Sequence, residues 1–132
     1  MTSSPLTDAV REFLRRPAPA VVGTLGRNGQ PVTAATWYVL QDDDTILMNI
    51  EAGRARIRHL QADPRVALTV LGESWYQHIS VQGTVTDIST DPDMSVIDRI
   101  SEHYTGKPYA VRDKQRVTVV ARIDSWFGWH VD

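Results

Sequence analysis

The sequence predicts a mainly β, α+β domain: a six-stranded antiparallel sheet closed as a barrel, with short flanking helices. Three observations carry this expectation. Apolar spacing changes from about four residues to two once Pro17 and Pro19 are passed. Asn28-Gly29, the strongest short hairpin signal, stands between two apolar, β-branched runs. Near the C-terminus Val117, Val119, Ala121 and Ile123 alternate with Thr118, Arg122 and Asp124. With 132 residues, 42% hydrophobic and 23% charged, one domain over residues 1–132 with a single core is expected.

In chain order, Ser4 is placed to cap a first helix with Pro5 at its first position. Leu6, Val10, Phe13 and Leu14 form its apolar stripe, and Pro17 and Pro19 end it. Ala20–Leu25 is the first strand, and Pro31–Leu40 its partner across the Asn28-Gly29 turn. Asp42-Asp43-Asp44 is a polar turn before a third strand, Thr45–Ile50. Residues 51–62 read as a short helix with a possible extended lead-in, stopped at Asp63-Pro64. Arg65–Leu71 is the fourth strand. After a turn at Gly72-Glu73-Ser74, Trp75–Asp87 is a long fifth strand with a bulge or close backbone approach at Gly83. Asp91-Pro92 opens a longer helix with Val96, Ile97, Ile100 and Tyr104 as its apolar stripe, and Thr105-Gly106-Lys107-Pro108 closes it. Arg116–Trp126 is the sixth strand. A barrel this small fills its interior with side chains, so a ligand belongs on the outside or at a subunit contact.

Composition excludes several classes. Without cysteine there is no disulfide framework, thiolate metal site or cysteine nucleophile. No run of 18 apolar residues spans a membrane, and Met1-Thr2-Ser3-Ser4-Pro5 lacks the basic-then-apolar order of a secretory signal, so a cytoplasmic location is expected. The net charge of −2 gives no reason to expect nucleic-acid binding. Neither a G-x-S-x-G elbow nor a G-x-x-x-x-G-K phosphate loop occurs. His59, His78, His103 and His130 are too scattered for a metal site, so none is expected.

The most unusual feature is Arg54-Ala55-Arg56-Ile57-Arg58. If extended, its three guanidiniums share one face; if helical, Arg54 and Arg58 share a face and Arg56 points away. In both cases several arginines lie near a helix N-terminus, where backbone N–H groups already favour anions, and planar Arg forks suit phosphate or carboxylate. By spacing alone, a solvated helix face is the simpler reading. Trp37, Trp75, Trp126 and Trp129 read individually as packing residues; an apolar wall for a flat ring is the functional alternative.

Taken in order, these pieces resemble the flavin- and deazaflavin-dependent oxidoreductases of the pyridoxamine-phosphate-oxidase-like split barrel. The resemblance rests on the first helix, Val22-Gly23-Thr24-Leu25, the Asn28-Gly29 turn with Gln30-Pro31-Val32-Thr33, Arg54–Leu60, Asp63–Leu68 and the strand carrying Gly83. It implies a split barrel forming a homodimer with two cofactor sites at the interface. It also implies coenzyme F420 as cofactor, with FMN the alternative, and a small conjugated molecule as substrate. Cofactor binding would fall to Val32, Thr33, Ala34 and Ala35 along the ring, and to Asn49 nearby. The segment Arg54, Ala55, Arg56 and Arg58 would hold the phosphate, and Trp75, Tyr76 and Gln77 of the partner subunit would cover the ring. FMN-using relatives usually carry Lys where Arg56 stands. No catalytic residue is singled out; a proton, if needed, would come from Tyr76, His78 or solvent. An FMN-binding protein of this family and a cofactor-binding protein without turnover remain alternatives.

Overall fold

The apolar stripe and the alternating runs resolve into three helices and seven strands in the computed structural model, which describes residues 1–131. Helix α1 is Asp8–Leu14; strands β1 and β2 are Ala20–Leu25 and Pro31–Thr36; β3 and β4 are Val39–Leu40 and Ile46–Glu51. Helix α2 is Ala55–Ala62; β5 and β6 are Arg65–Leu71 and His78–Thr90; α3 is Ser95–Thr105 and β7 is Arg116–Trp129. All paired strands are antiparallel, in the order β2-β1-β5-β6-β7-β4-β3.

The expected six strands are therefore seven, and the sheet is not closed. The run expected as one strand, Pro31–Leu40, breaks at Trp37-Tyr38, and its two pieces lie on opposite edges of the sheet. Tertiary contact causes the break. Tyr38 is fully buried and its hydroxyl donates to the Leu14 carbonyl at 2.7 Å. Its backbone N–H donates to the Tyr104 hydroxyl at 3.3 Å, which itself donates to the Ala18 carbonyl at 2.9 Å. A side chain held this way inside the core turns the chain out of β2 and into β3.

The other departures are shifts of element ends. Helix α1 begins one turn later than expected: Thr7, not Ser4, is its cap, with its hydroxyl accepting from the Val10 N–H. Leu6, Val10, Phe13 and Leu14 are all buried as the stripe requires. The lead-in to α2 is longer than expected, with Arg54 extended at the cap position. Trp75 and Tyr76 lie in a turn closed by Gly72 N–H to Gln77 carbonyl at 2.7 Å, and β6 begins only at His78. Helix α3 starts at Ser95 rather than at Asp91-Pro92, after Met94 in the left-handed region. Asp91 still caps it, from further back: its buried carboxylate accepts from the N–H groups of Val96 and Ile97. Strand β7 runs to Trp129, past the expected end at Trp126.

Two local expectations hold in detail. Asn28 and Gly29 both have positive φ, 61° and 74°, as the turn chemistry demands. Gly83 sits at a shift of register between β6 and β7. A Cβ there would collide with the carbonyl oxygen of Arg122. The core fills the concave side of the sheet with Val22, Leu68, Val70, Ile79, Val81 and Val119, capped by α1. Strand β4 is buried on both faces, since α3 and the chain around Asp91 cover its second side.

Arg11 ties α1 to the turn before β4, meeting Asp44 through Nε and Nη2 at 2.8 Å each. That pairing holds the Asp44 carboxyl below its ordinary range, chiefly through the hydrogen bonds and then through Arg11's charge. A carboxylate depressed by folding adds stability above its unfolded value and loses it as pH falls through the lower folded value. Stability should thus decline below about pH 4, and Asp44→Asn should flatten that acid limb in urea titrations at stepped pH. Gly83→Ala should cost about 1–3 kcal/mol, because the obstacle is backbone and cannot rotate away; the shift in urea midpoint measures it.

Candidate active-site cleft

Before its last residue, Glu51, strand β4 is apolar except at Asn49, which is 8% exposed. A buried amide needs partners. Asn49 has them on both sides. Its Nδ2 donates to Asp91 Oδ2 at 3.1 Å and to Thr118 Oγ1 at 3.2 Å. Its Oδ1 accepts from Arg116 Nε at 2.9 Å, and its backbone carbonyl accepts from Arg116 Nη2 at 3.2 Å. Register explains the meeting: Asn49 stands opposite Thr118 in the β4–β7 ladder, and Arg116 lies on the same face of β7 as Thr118. The amide thus relays between a carboxylate and a guanidinium that do not touch.

Arg116 forms one end of a cleft of about 700 Å³. Its other walls are the Pro17–Ala20 segment, the end of β2 at Ala35 and Thr36, Trp37, Ile97 and Tyr104 of α3, Tyr109, and Arg56 from α2. The volume is in the range of small-molecule sites. Rings occupy one side: Trp37 stacks on Tyr104 with centroids 5.1 Å apart, and Tyr109 meets Trp37 edge-on at 6.1 Å.

The arginine run is split between the two alternatives: Arg54 is extended at the cap of α2, and Arg56 and Arg58 are helical. Arg56, on α2, points away from its neighbours and into the cleft, half-buried, and its buried Nε has no hydrogen-bond partner. Burial first, then the charges of Arg54 and Arg116, lower its pKa. It nonetheless stays protonated at neutral pH, because a guanidinium starts so high. Among the described residues, neither Arg56 nor Arg116 makes an ion pair. Two cations and an unspent donor therefore face one cavity. Arg54 stays at the rim, exposed and paired with Glu51 at 3.0 Å, beside the exposed Ala55. Arg58 is exposed and donates to the Gly53 carbonyl at 3.2 Å.

Of the residues expected at a site, the structure brings Ala35, Asn49 and Arg56 together in this cleft. Ala34 is half-buried and packs on the core. Val32 and Thr33 line a second cleft of about 570 Å³ with Arg65, Gly83 and Asp124. There the charges are already matched, Arg65 by Asp63 at 2.7 Å and Asp124 by Arg122 at 2.7 Å, so nothing in that cleft calls for an anion. Trp75, Tyr76 and Gln77 lie away from both clefts, with Trp75 81% and Tyr76 73% exposed. Sequence reasoning misses Arg116, Tyr104 and Tyr109 as site residues, and for Trp37 the wall-for-a-ring alternative rather than plain packing fits its place in the cleft. A lone polar residue inside the apolar run Ile46–Ile50 was the available signal for the buried network.

Asn49→Leu should cost about 2–4 kcal/mol, since it strands a buried guanidinium and a buried carboxylate at once. Urea denaturation of the two proteins measures it.

Comparison with known proteins agrees with this fold. Residues 6–130 match the family model described as pyridoxamine 5'-phosphate oxidase. No curated protein matches the sequence. Among solved structures, an F420 reductase superposes with a TM-score of 0.82 at 25% identity, covering 92% of this chain and 98% of that one. A conserved hypothetical protein of Mycobacterium tuberculosis gives 0.75 at 24% identity, covering 98% of this chain and 88% of that one. General stress protein 26 of Bacillus anthracis gives 0.72 at 13% identity, with 95% and 94% covered, a likeness of fold alone. The match over nearly the whole length, on an antiparallel sheet with these helices, means that the chain belongs to the pyridoxamine 5'-phosphate oxidase-like split-barrel family of flavin and F420 proteins.

Proposed function

We propose that the protein is an F420-dependent oxidoreductase that moves a hydride between a deazaflavin and a small conjugated organic molecule. The observation that carries this reading is Arg56: a half-buried cation beside the end of β2, with a buried Nε that nothing in the protein satisfies. Such a group is costly alone and favourable once an anion arrives. Support also comes from the F420 reductase that matches over 92% of this chain at 25% identity.

The residues present fit an anionic, flat cofactor. Arg56 would hold its phosphate, with Arg54 and Arg58, beside Ala55, joining by exchanging their contacts with Glu51 and the Gly53 carbonyl for the cofactor. Strand β2 is an edge, so every second residue of Val32, Thr33, Ala34 and Ala35 turns unpaired backbone groups outward, and the small side chain of Ala35 lets a ring approach closely. Asn49 would fix Arg116 at the end of the cleft. A bound deazaflavin supplies the hydride chemistry at its ring; the protein supplies position and a dry wall. Burying about 200 Å² of ring contributes about 5 kcal/mol, whereas micromolar binding needs about 8 kcal/mol. One or two charge-assisted bonds at about 1.5–3 kcal/mol each make up the difference.

The site is completed, in this reading, by a second copy of the chain. Trp75 and Tyr76 project into solvent, and Phe127 and Trp129 are also exposed, an aromatic surface that a partner would cover. Through such a homodimer, Trp75, Tyr76 and Gln77 of one protomer would roof the ring held by the other.

Calorimetric titration with F420 and with FMN tests the assignment. F420 should bind in the micromolar range, and Arg56→Gln should weaken it about 10–100-fold, the equivalent of one charge-assisted bond. Tighter binding of FMN than of F420 would reassign the cofactor. No binding of either would remove the oxidoreductase reading.

A further inference from the structure

The aromatic end of the cleft carries a second charge without a counter-ion. Arg116 is 9% exposed and commits Nε and Nη2 to Asn49, but among the described residues its Nη1 donates to nothing. Asp91, the carboxylate across the relay, spends its oxygens on Asn49 and on the N–H groups of Val96 and Ile97. Arg116 therefore keeps one unmatched positive charge at the cleft wall. Its guanidinium lies 4.9 Å from the centroid of Tyr109, and Tyr109 meets Trp37. Rings of this kind recruit flat partners by offset or edge-on packing, and a desolvated guanidinium recruits a carboxylate. One unmatched charge calls for a monoanion.

We propose that Arg116, Tyr109 and Trp37 form the substrate end of the cleft, and that the substrate is a planar conjugated carboxylic acid whose carboxylate meets Arg116 while its ring packs against the two aromatic residues. This rests on the reading that gives Arg56 and β2 to the cofactor, since only then is Arg116 left for a second molecule. Asn49 acts here as a positioning residue: it spends two of the guanidinium's nitrogens and so aims the third.

The probes are 2-naphthoate and its uncharged isostere 2-naphthamide, titrated calorimetrically into the intact protein with and without saturating F420. The acid should bind at least tenfold more tightly than the amide. Arg116→Gln should bring the acid to the level of the amide while leaving the F420 dissociation constant within about threefold. Tyr109→Leu should weaken both probes alike. Equal binding of acid and amide to the unaltered protein overturns the proposal, as does a preference that survives Arg116→Gln. Competition between naphthoate and F420 also overturns it, because the acid would then occupy the cofactor's place. Should Arg116→Gln fail to fold, the acid–amide comparison in the unaltered protein and the Tyr109→Leu titration decide the matter. A preference for the acid, lost in Arg116→Gln, in a protein that does not bind F420 would remove the cofactor reading and leave the acid site standing.

Discussion

Tyr38 is the point on which the cleft depends. Its ring is fully buried, its hydroxyl holds the end of α1, and its backbone N–H takes the hydroxyl of Tyr104. Tyr104 in turn holds the carbonyl of Ala18. Three stretches distant in sequence, Pro17–Ala20, Trp37 and α3, are thereby fixed around one cavity. Burial pushes the Tyr38 phenol well up from its ordinary range, so it remains a neutral donor at any pH the fold survives. Without this anchor only the β1–β2 and β3–β4 ladders would keep β2 and β3 on opposite edges, and the wall carrying Trp37 would lose its fixed place.

The second organising principle is asymmetry of charge matching. Several ionic groups on this protein are paired locally at the surface: Arg65 with Asp63, Arg122 with Asp124, Arg112 with Asp98. Such pairs contribute little to stability. Arg16, Arg56 and Arg116 differ because they are partly or wholly withdrawn from solvent and meet no carboxylate, and of these Arg56 and Arg116 line the cleft. A fold selected only for stability would fill that space with apolar side chains. Keeping two cations there is a cost that binding can offset, which is why the cleft rather than the neighbouring charge-balanced one carries the functional reading.

Much of this was legible in the sequence where the cause is local. The positive φ of Asn28 and Gly29 follows from turn chemistry and the Gly83 irregularity from the absence of a side chain, whereas the arginine run, open between extended and helical by spacing, did not show that Arg56 turns inward. What escaped is what distant contacts decide. A ten-residue run from Pro31 to Leu40 has the composition of one strand; the hydroxyls and carbonyls that break it lie 24 and 66 residues away. Arg116 and Thr118 occupy the face of β7 that alternation assigns to water, and only the cover supplied from Asn49, Asp91 and Tyr109 makes that face an interior. Trp75 and Tyr76 have strand-like composition, but the Gly72–Gln77 turn claims them first.

Strands β2 and β3 stand at the two ends of the sheet, each bonded along one side only, and no ladder joins them. A cylinder sealed all round by backbone hydrogen bonds has a fixed girth, because widening it means breaking the ladder. A sheet left open is free of that constraint. The end of β2 that borders the cleft, at Ala35 and Thr36, is gripped by a ladder along one side alone, so that wall can shift without a second ladder being broken.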